Sequence, residues 1–375
     1  MDKISRAAAF IRGLSFDGEK GKIVFHTSSS VSPSGNSLDL GLLPEGEQEL
    51  LDLLKARWSD QDLISCGGDG NFVLAGCYDE AVARVEKKDF VFPSESESVQ
   101  VPAVKDKVAL VTGGAQGFGE GMVRELVTGG AYVYIADMNI DGATRLAESL
   151  NQEQGSTRAF ALKVNVTDET SVEAMMDQVA RCTGGLDIFI SNAGVLKAGS
   201  VKEMTLRDFQ FVTDVDYTGF FICTKFASRL MSIQNMPTAE YFTDIIGISS
   251  KSGLEGSNKN GAYAGAKFGS LGLTQSFALE LVTDNIKVNS ICPGNFLDGP
   301  LWSDSDKGLF VQYLKAGKVP GAKTLGDVRK FYEDKVPMKR GCETKDVVKA
   351  IFYIVDQKYE TGQAVPVTGG QVMLN

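Results

Sequence analysis

Tyr263 and Lys267 stand four residues apart in Tyr-Ala-Gly-Ala-Lys, and Ser250 lies thirteen residues upstream. Positions i and i+4 share one face of a helix, so this spacing sends a phenol and an ammonium into one pocket. An ammonium beside a phenol favours the phenolate, which suits a tyrosine to general-base work. A serine hydroxyl in the same pocket can hold the oxygen from which the proton leaves. The set is fitted to deprotonating an alcohol as its carbon is oxidised. Of ten tyrosines, only Tyr263 has a lysine four residues on.

A second constellation suits a dinucleotide. Thr112-Gly113-Gly114-Ala115-Gln116-Gly117-Phe118-Gly119 follows the apolar run Val108 to Val111 and opens a helical stretch. Glycines there let the backbone turn sharply and approach a pyrophosphate, and the helix N-terminus supplies N–H groups and partial positive charge. Asp137 closes the next apolar run, eighteen residues after Gly119. A carboxylate at that place accepts hydrogen bonds from both adenosine ribose hydroxyls and repels a 2′-phosphate. Met138 and Asn139 are not basic and Gln116 is neutral, so the expected cofactor is NAD rather than NADP.

The elements that must position these groups read as an α/β fold, a Rossmann-type doubly wound parallel sheet. Strands are expected at 108–111, 131–136, 159–164, 186–190, 243–248 and 286–291, with helices between them. Val365-Pro366-Val367 is a candidate seventh, weakened by a proline that lacks a ladder donor. The stretch from Phe296 to Arg340 is polar and glycine-dotted and interrupts the alternation. Long insertions after a strand's carboxyl end often close over a ligand. Phe92 to Ser98, with Pro102 behind it, reads as a linker. It divides a small α+β segment, residues 1–100, from an NAD-binding unit over 104–375, which is expected to fold and work alone. In the first segment, helices are expected over 2–14, 45–58 and 78–87, and a strand over 22–26. Residues 67–71 are expected to turn between two short strands.

The 375-residue chain carries a net charge of −10, which argues against a general nucleic-acid or anionic-membrane surface. No apolar run reaches the roughly 18 residues of a membrane span, and the first residues lack a signal-peptide pattern. The cytoplasm is the expected setting. Six cysteines without close pairs read as reduced core thiols, and the single histidine, His26, as structural. No metal site is expected.

From about Asp106 to Asn375 the chain resembles the short-chain dehydrogenase/reductase family. The resemblance rests on the Thr112–Gly119 turn, Ser191-Asn192-Ala193-Gly194, Ser249-Ser250, Tyr263 with Lys267, and Pro293-Gly294. It implies that Asn192, Ala193 and Gly194 lie beside the adenosine side of the cofactor and that Pro293 and Gly294 border the nicotinamide. It implies that Lys267 also binds the nicotinamide ribose, and that the protein forms a homodimer or homotetramer. Two positions depart from the family pattern. Asp216, in Asp216-Tyr217-Thr218-Gly219, stands where the family usually has a catalytic asparagine. Its charge partly offsets the help Lys267 gives Tyr263. Asn165, followed by Val166, stands where an aspartate usually meets the adenine amino group.

Within the family, Ser250-Lys251-Ser252-Gly253, Gly294-Asn295-Phe296-Leu297, Asp334 to Cys342 and Val367 to Val372 resemble the sorbitol-6-phosphate 2-dehydrogenases. This narrower resemblance implies oxidation of a sugar-alcohol phosphate, sorbitol 6-phosphate, to fructose 6-phosphate. Lys251, Lys259, Lys339 and Arg340 are candidates for the substrate phosphate, and Asn295 for the substrate chain. The competing readings are a dehydrogenase of an unphosphorylated polyol and a catalytically weak NAD-binding scaffold.

Overall fold

Long apolar runs in the second part of the chain are what a parallel sheet covered on both faces demands. The computed structural model describes residues 1–31, 36–91, 103–306, 308–315, 317 and 319–373. Its main sheet contains β5 (Val108–Thr112), β6 (Tyr132–Asp137), β7 (Ala159–Lys163), β8 (Ile188–Ser191), β9 (Thr243–Ile248), β10 (Ile286–Pro293) and β11 (Ala364–Val367). These are parallel, in the order β11-β10-β9-β8-β5-β6-β7. The order reverses between β6 and β8, on either side of β5. That switch point opens a crevice beyond the carboxyl ends, where ligands of such sheets bind.

One face is covered by α4 (Gly117–Thr128), α5 (Ile140–Gln154) and α13 (Thr344–Asp356). The other carries α6 (Glu169–Thr183), α8 (Gly219–Asn235) and α9 (Gly261–Leu281). Side-chain caps fix where helices start. Asn139 accepts from Gly142 N ahead of α5, and Asp168 accepts from Thr170 N and Ser171 N ahead of α6. The expected strand at 365–367 is present as β11. It is an edge strand paired only with β10, so the donor Pro366 lacks is not missed on its outer side.

Residues 296–340, expected as a polar insertion, carry more helix and apolar packing than that reading allowed. They contain α10 (Pro300–Ser303), α11 (Leu309–Lys315) and α12 (Leu325–Asp334). Leu297, Trp302, Leu309, Phe310, Val319 and Val328 form a hydrophobic cluster of their own. The apolar residues are spaced too irregularly for the periodicity to show.

The first segment forms a separate sheet in the order β1-β4-β3-β2. Its strands are β1 (Ile23–Thr27), β2 (Ser37–Asp39), β3 (Leu63–Ser65) and β4 (Asn71–Ala75), with α1 (Lys3–Leu14), α2 (Glu47–Arg57) and α3 (Tyr78–Glu86). Strand β2 was not expected; it is three residues long and mostly exposed, too short for an alternating pattern. The expected linker at 92–98 and Pro102 lie outside the described residues. His26 Nε2 lies 2.7 Å from the Asp69 carbonyl oxygen, within this small unit.

The junction read from the sequence is not a junction in the core. Helix α1 lies against α6 and α8, and β1 against α6. Ala7, Ala8, Ile11 and Val24 belong to the same hydrophobic cluster as Leu186, Phe189, Phe226 and Leu230. At its centre, Arg12 of α1 is completely buried and bonds Asp187 Oδ2 at 2.7 Å. Asp187 also accepts from Val108 N at 2.7 Å, Tyr241 OH at 2.6 Å and Gln234 Nε2 at 3.1 Å. A fragment 104–375 would keep this carboxylate but lose its cation. That argues against the expectation that the fragment stands alone, because an unpaired buried charge is strongly destabilising.

The same contact has a defined pH signature. Burial, the largest influence, pushes the Asp187 carboxyl up, yet Arg12 and the bonded neighbours hold it below its ordinary value. The stability it contributes is present above about pH 4 and is lost as pH falls through the lower folded value. Arg12→Leu should cost about 3 kcal/mol at neutral pH in urea unfolding. The deficit should shrink as Asp187 becomes protonated toward acid pH. A deficit below about 0.5 kcal/mol would show that Arg12 is not the cation this carboxylate depends on.

Candidate active site

The glycine turn leaves β5 with Gly113 and Gly117 at φ values of 62° and 61°, in the left-handed region that favours glycine. A Cβ on Gly113 would sit 2.9 Å from Ala193 Cα, and one on Gly119 only 2.0 Å from the Gly113 carbonyl oxygen. The turn is laced to the end of β8. Thr112 Oγ1 accepts from Asn192 N at 3.0 Å and Ala193 N at 3.2 Å. Asn192 Nδ2 donates to the carbonyls of Thr112 and Gly113 at 3.0 and 3.1 Å. Opening onto the N-terminus of α4, this tight cradle fits the pyrophosphate of a dinucleotide.

Asp137 ends β6 as expected. Its Oδ2 accepts from Ala115 N at 3.1 Å and its Oδ1 from Asn139 N at 2.9 Å. The carboxylate is thereby fixed against the glycine turn, and each oxygen keeps a lone pair for a ribose hydroxyl. Asn165 is engaged locally, its Oδ1 accepting from Thr167 N and Oγ1 at 3.2 and 2.9 Å. Val166 is buried, with its Cγ2 close to Gly219. Pro293 closes β10, and Gly294 N donates to the Val367 carbonyl at 2.9 Å.

Lys267 is buried on α9, one turn beyond Tyr263. Its Nζ donates to the Ile248 carbonyl at 3.0 Å, lies 3.3 Å from Asp216 Oδ2, and sits 5.6 Å from the Tyr263 ring centre. Asp216 lies in a π-helical turn, Asp214–Thr218, between α7 (Leu206–Thr213) and α8. Such bulges are frequent at functional sites. Its Oδ1 accepts from Val195 N at 2.7 Å. Its Oδ2 is buried, and the Lys267 ammonium is its ion-pair partner. Burial pushes the Asp216 carboxyl above its ordinary value, with Lys267 opposing. Burial also pulls the Lys267 ammonium down, but Asp216 and then Tyr263 outweigh it and leave it raised. Ser250 leads a short 3-10 turn, Lys251–Gly253, and its Oγ accepts from Ser252 N at 3.1 Å.

A cavity of about 550 Å³ is lined by some of these residues, while Asp137, Asn165, Asp216, Lys267 and Pro293 are not in its lining. Gly113, Gln116, Gly117, Phe118, Gly119, Asn192, Ala193, Gly194 and Gly294 line it together with Ser250 and Tyr263. Lys251, Lys259 and Asn295 also face it. The structure does not bring Lys339 and Arg340 to this cavity. Lys339 Nζ donates to the Asp334 carbonyl at 2.7 Å. Arg340 forms a fork with Asp346 at 2.6 and 2.8 Å and lines a different cavity near the chain end. Neither is in place to meet a substrate phosphate beside Tyr263.

Sequence reasoning missed part of the wall. Asn260, Trp302, Leu309 and Tyr332 line the cavity. Phe296, read from the sequence as part of the Gly294–Leu297 motif and the start of the insertion but not as a wall residue, stacks on Phe118 with ring centres 4.3 Å apart. Asn260 had a usable signal, standing three residues before Tyr263 on the helix face. The lid aromatics had none, because only the tertiary fold brings them over the crevice.

The family profile described as short chain dehydrogenase matches residues 107–307. The sorbitol-6-phosphate 2-dehydrogenase of Escherichia coli (strain K12) is 37% identical over 271 residues, covering 72% of this chain and 99% of that protein. The crystal structure of sorbitol-6-phosphate 2-dehydrogenase SrlD from Erwinia amylovora is similar with a TM-score of 0.65 and 39% identity. That match covers 71% of this chain and all of the other. An actinorhodin polyketide ketoreductase, solved with NADPH, has a TM-score of 0.61 and 25% identity, covering 71% of this chain and 97% of its own. These matches cover about seven-tenths of this chain.

The Asp216–Lys267 pair makes a testable difference. An amide at 216 has one oxygen, which can serve Val195 N or Lys267 but not both well. Asp216→Asn should therefore lower the Lys267 pKa, since Asp216 is the leading neighbour that raises it. The pH profile of alcohol oxidation should move to lower pH, with dinucleotide binding retained. An unchanged profile in a folded variant would remove Asp216 from the electrostatics of the site.

Proposed function

The chain belongs to the short chain dehydrogenase family, and on that premise we propose that it is an NAD-dependent oxidoreductase of sugar-alcohol phosphates. The proposed reaction interconverts sorbitol 6-phosphate and fructose 6-phosphate. The observation that carries it is one cavity lined by Ser250, Tyr263, Lys251 and Lys259, with the buried Lys267 5.6 Å from the Tyr263 ring centre and paired to Asp216. The likeness to the Escherichia coli enzyme supports the substrate.

In this reading Tyr263 takes the proton of the substrate hydroxyl. Ser250 donates a hydrogen bond to the same oxygen and steadies the charge it develops. Lys267, held by the Ile248 carbonyl and Asp216, keeps a positive charge behind the phenol. Its fixed place spares any reorganisation as the proton moves. NAD, when bound, supplies the hydride acceptor. Its pyrophosphate would rest on the glycine turn and its adenosine ribose on Asp137. We assign Asn192, Ala193 and Gly194 to the adenosine side, and Pro293 and Gly294 to the nicotinamide side. Lys251 and Lys259 are the cations available to the substrate phosphate.

A second reading, an unphosphorylated polyol, gains weight from the placement of Lys339 and Arg340 away from the cavity. It leaves the chemistry at Tyr263 unchanged. We also propose a homodimer or homotetramer, supported by Phe221 on α8 and by Phe268 and Leu279 on α9, which stay exposed in the single chain.

NADH absorbance with a panel of polyols and polyol phosphates tests the reaction. Sorbitol 6-phosphate should be oxidised with the highest kcat/KM. A preference for free sorbitol would select the second reading, and no turnover with any polyol would end both. Tyr263→Phe should bind dinucleotide normally and lose at least about 100-fold in kcat. Comparable turnover would remove Tyr263 from the mechanism.

Cofactor choice is tested separately. The unmodified protein should prefer NAD over NADP, because the Asp137 charge meets the 2′-phosphate unpaired. Asp137→Ala should narrow the ratio of efficiencies by about tenfold or more, equivalent to about 1.4 kcal/mol. Equal efficiency with both cofactors in the unmodified protein would contradict the role given to Asp137.

A further inference from the structure

Ser250 and Tyr263 must stand at a fixed separation for both hydroxyls to meet one substrate oxygen, yet they belong to different elements. The bonds Ser250 makes within its own turn do not reach α9. Its Oγ accepts from Ser252 N at 3.1 Å, and its carbonyl accepts from Gly253 N at 2.9 Å. Its place relative to Tyr263 is therefore left to its neighbours.

Ser249 is the neighbour that bonds the helix. It follows β9 directly and is buried. Its N donates to the Ile291 carbonyl of β10 at 2.8 Å, which fastens its backbone to the sheet. Its Oγ donates to the Lys267 carbonyl of α9 at 3.2 Å. The residue before it, Ile248, accepts from Lys267 Nζ at 3.0 Å. Lys267 is thus held at both ends, carbonyl and ammonium, by two consecutive residues ahead of Ser250. Ser270 Oγ also donates to the Lys267 carbonyl, at 2.8 Å, but from the same helix, so it ties nothing to the sheet. Beyond Ser250, Gly253 closes over the same bond. A Cβ there would lie 2.6 Å from Ser249 Oγ and 2.9 Å from the Lys267 carbonyl oxygen. Ser250 therefore lies between two residues that both meet the backbone of Lys267. Removing the Ser249 hydroxyl would leave that carbonyl bonded to Ser270, so the strap is lost without orphaning a buried acceptor.

We infer that Ser249 is a positioning residue: the bond from its hydroxyl to the Lys267 carbonyl fixes Ser250 against Tyr263, so that both hydroxyls address one oxygen. Ser249 itself acts only through Ser250. This deepens the reading of the Tyr263 site and rests on it for the position of the substrate oxygen, not for the identity of the sugar. Misplacing a reacting group by about 1 Å can cost as much as about 100-fold in rate. A residue that acts by aiming another loses its effect once that other is removed, which is a failure of additivity.

The test uses the full chain as Ser249→Ala, Ser250→Ala and the double variant, with whichever alcohol of the polyol panel is oxidised fastest. In Ser249→Ala, kcat should fall about tenfold, with NADH affinity held within about twofold. On top of Ser250→Ala, the same substitution should change kcat by less than about twofold. An unchanged kcat in Ser249→Ala, or an equal fall in both backgrounds, overturns the inference. Backbone amide exchange decides where turnover cannot be read. The amides of Ser252 and Gly253, bonded within the turn, should exchange about tenfold faster in Ser249→Ala, while those of β9 keep their rates. If no alcohol is oxidised, the proposed reaction fails and exchange alone decides. Faster exchange confined to the turn then upholds the positioning, and unchanged or uniformly faster exchange overturns it. Exchange decides in the same way if Ser250→Ala turns over too slowly to measure. If Ser249→Ala does not fold, Ser249→Gly carries the same measurements.

Discussion

The Lys267 ammonium has to be kept charged inside a protein interior, and much of the site follows from that requirement. Burial alone would strip its proton, so counter-charge and carbonyl oxygen must be built around it. Asp216 Oδ2 and the Ile248 carbonyl supply them at 3.3 and 3.0 Å. Asp216 reaches its place because the helix takes a π turn at Asp214–Thr218. Its other oxygen holds Val195 N, which ties the segment after β8 to the same ion pair. Gly194 is bare for the same reason. A Cβ there would lie 3.2 Å from Asp216 Oδ2 and 3.5 Å from Lys267 Nζ. A single buried charge thus links three chain segments and places Tyr263 one helical turn away.

The opposite end of the same strand is pinned by another buried ion pair. Asp187 immediately precedes β8, and Asn192 immediately follows it. Asp187 holds Arg12, Val108 N, Tyr241 and Gln234, while Asn192 holds the glycine turn. Strands β5 and β8 are therefore stapled together at both ends, and the staple at the amino end needs a residue from α1. The first segment thus meets the main sheet at the amino ends of these strands, and it packs on α6 and α8 as well.

Legibility in the sequence followed the range of the interaction that set each feature. Strands such as Val108–Thr112 and Thr243–Ile248 were legible because burial on both faces makes them continuously apolar. The placement of the glycine turn after β5, of Asp137 at the end of β6, and of Tyr263 and Lys267 one turn apart on α9 was legible because residue type and local spacing alone set it. Arg12 was not, since one arginine on a short helix ordinarily reads as a solvated charge and only the tertiary fold supplies Asp187. Arg340 erred in the other direction. It looked like a free cation beside the site, but Asp346, six residues on, takes its fork. The insertion hid its helices because Trp302, Phe310 and Val328 meet only in three dimensions.

The lid and the polar wall complete one another in a way that bears on water. Trp302 packs against Phe310, Tyr313 and Tyr332, with ring centres 5.3, 5.8 and 4.9 Å away. Phe296 reaches from the start of this segment to stack on Phe118 of the glycine turn. The aromatic surface therefore begins at the dinucleotide cradle and continues over the cavity that holds Tyr263. Excluding water there strengthens the field of Lys267 at the phenol, because fewer solvent dipoles remain to screen it. The polar groups that stay inside must then be satisfied by ligand rather than solvent. Aromatic rings of the insertion and the polar residues Lys251, Ser257 and Lys259 therefore share one cavity with Tyr263.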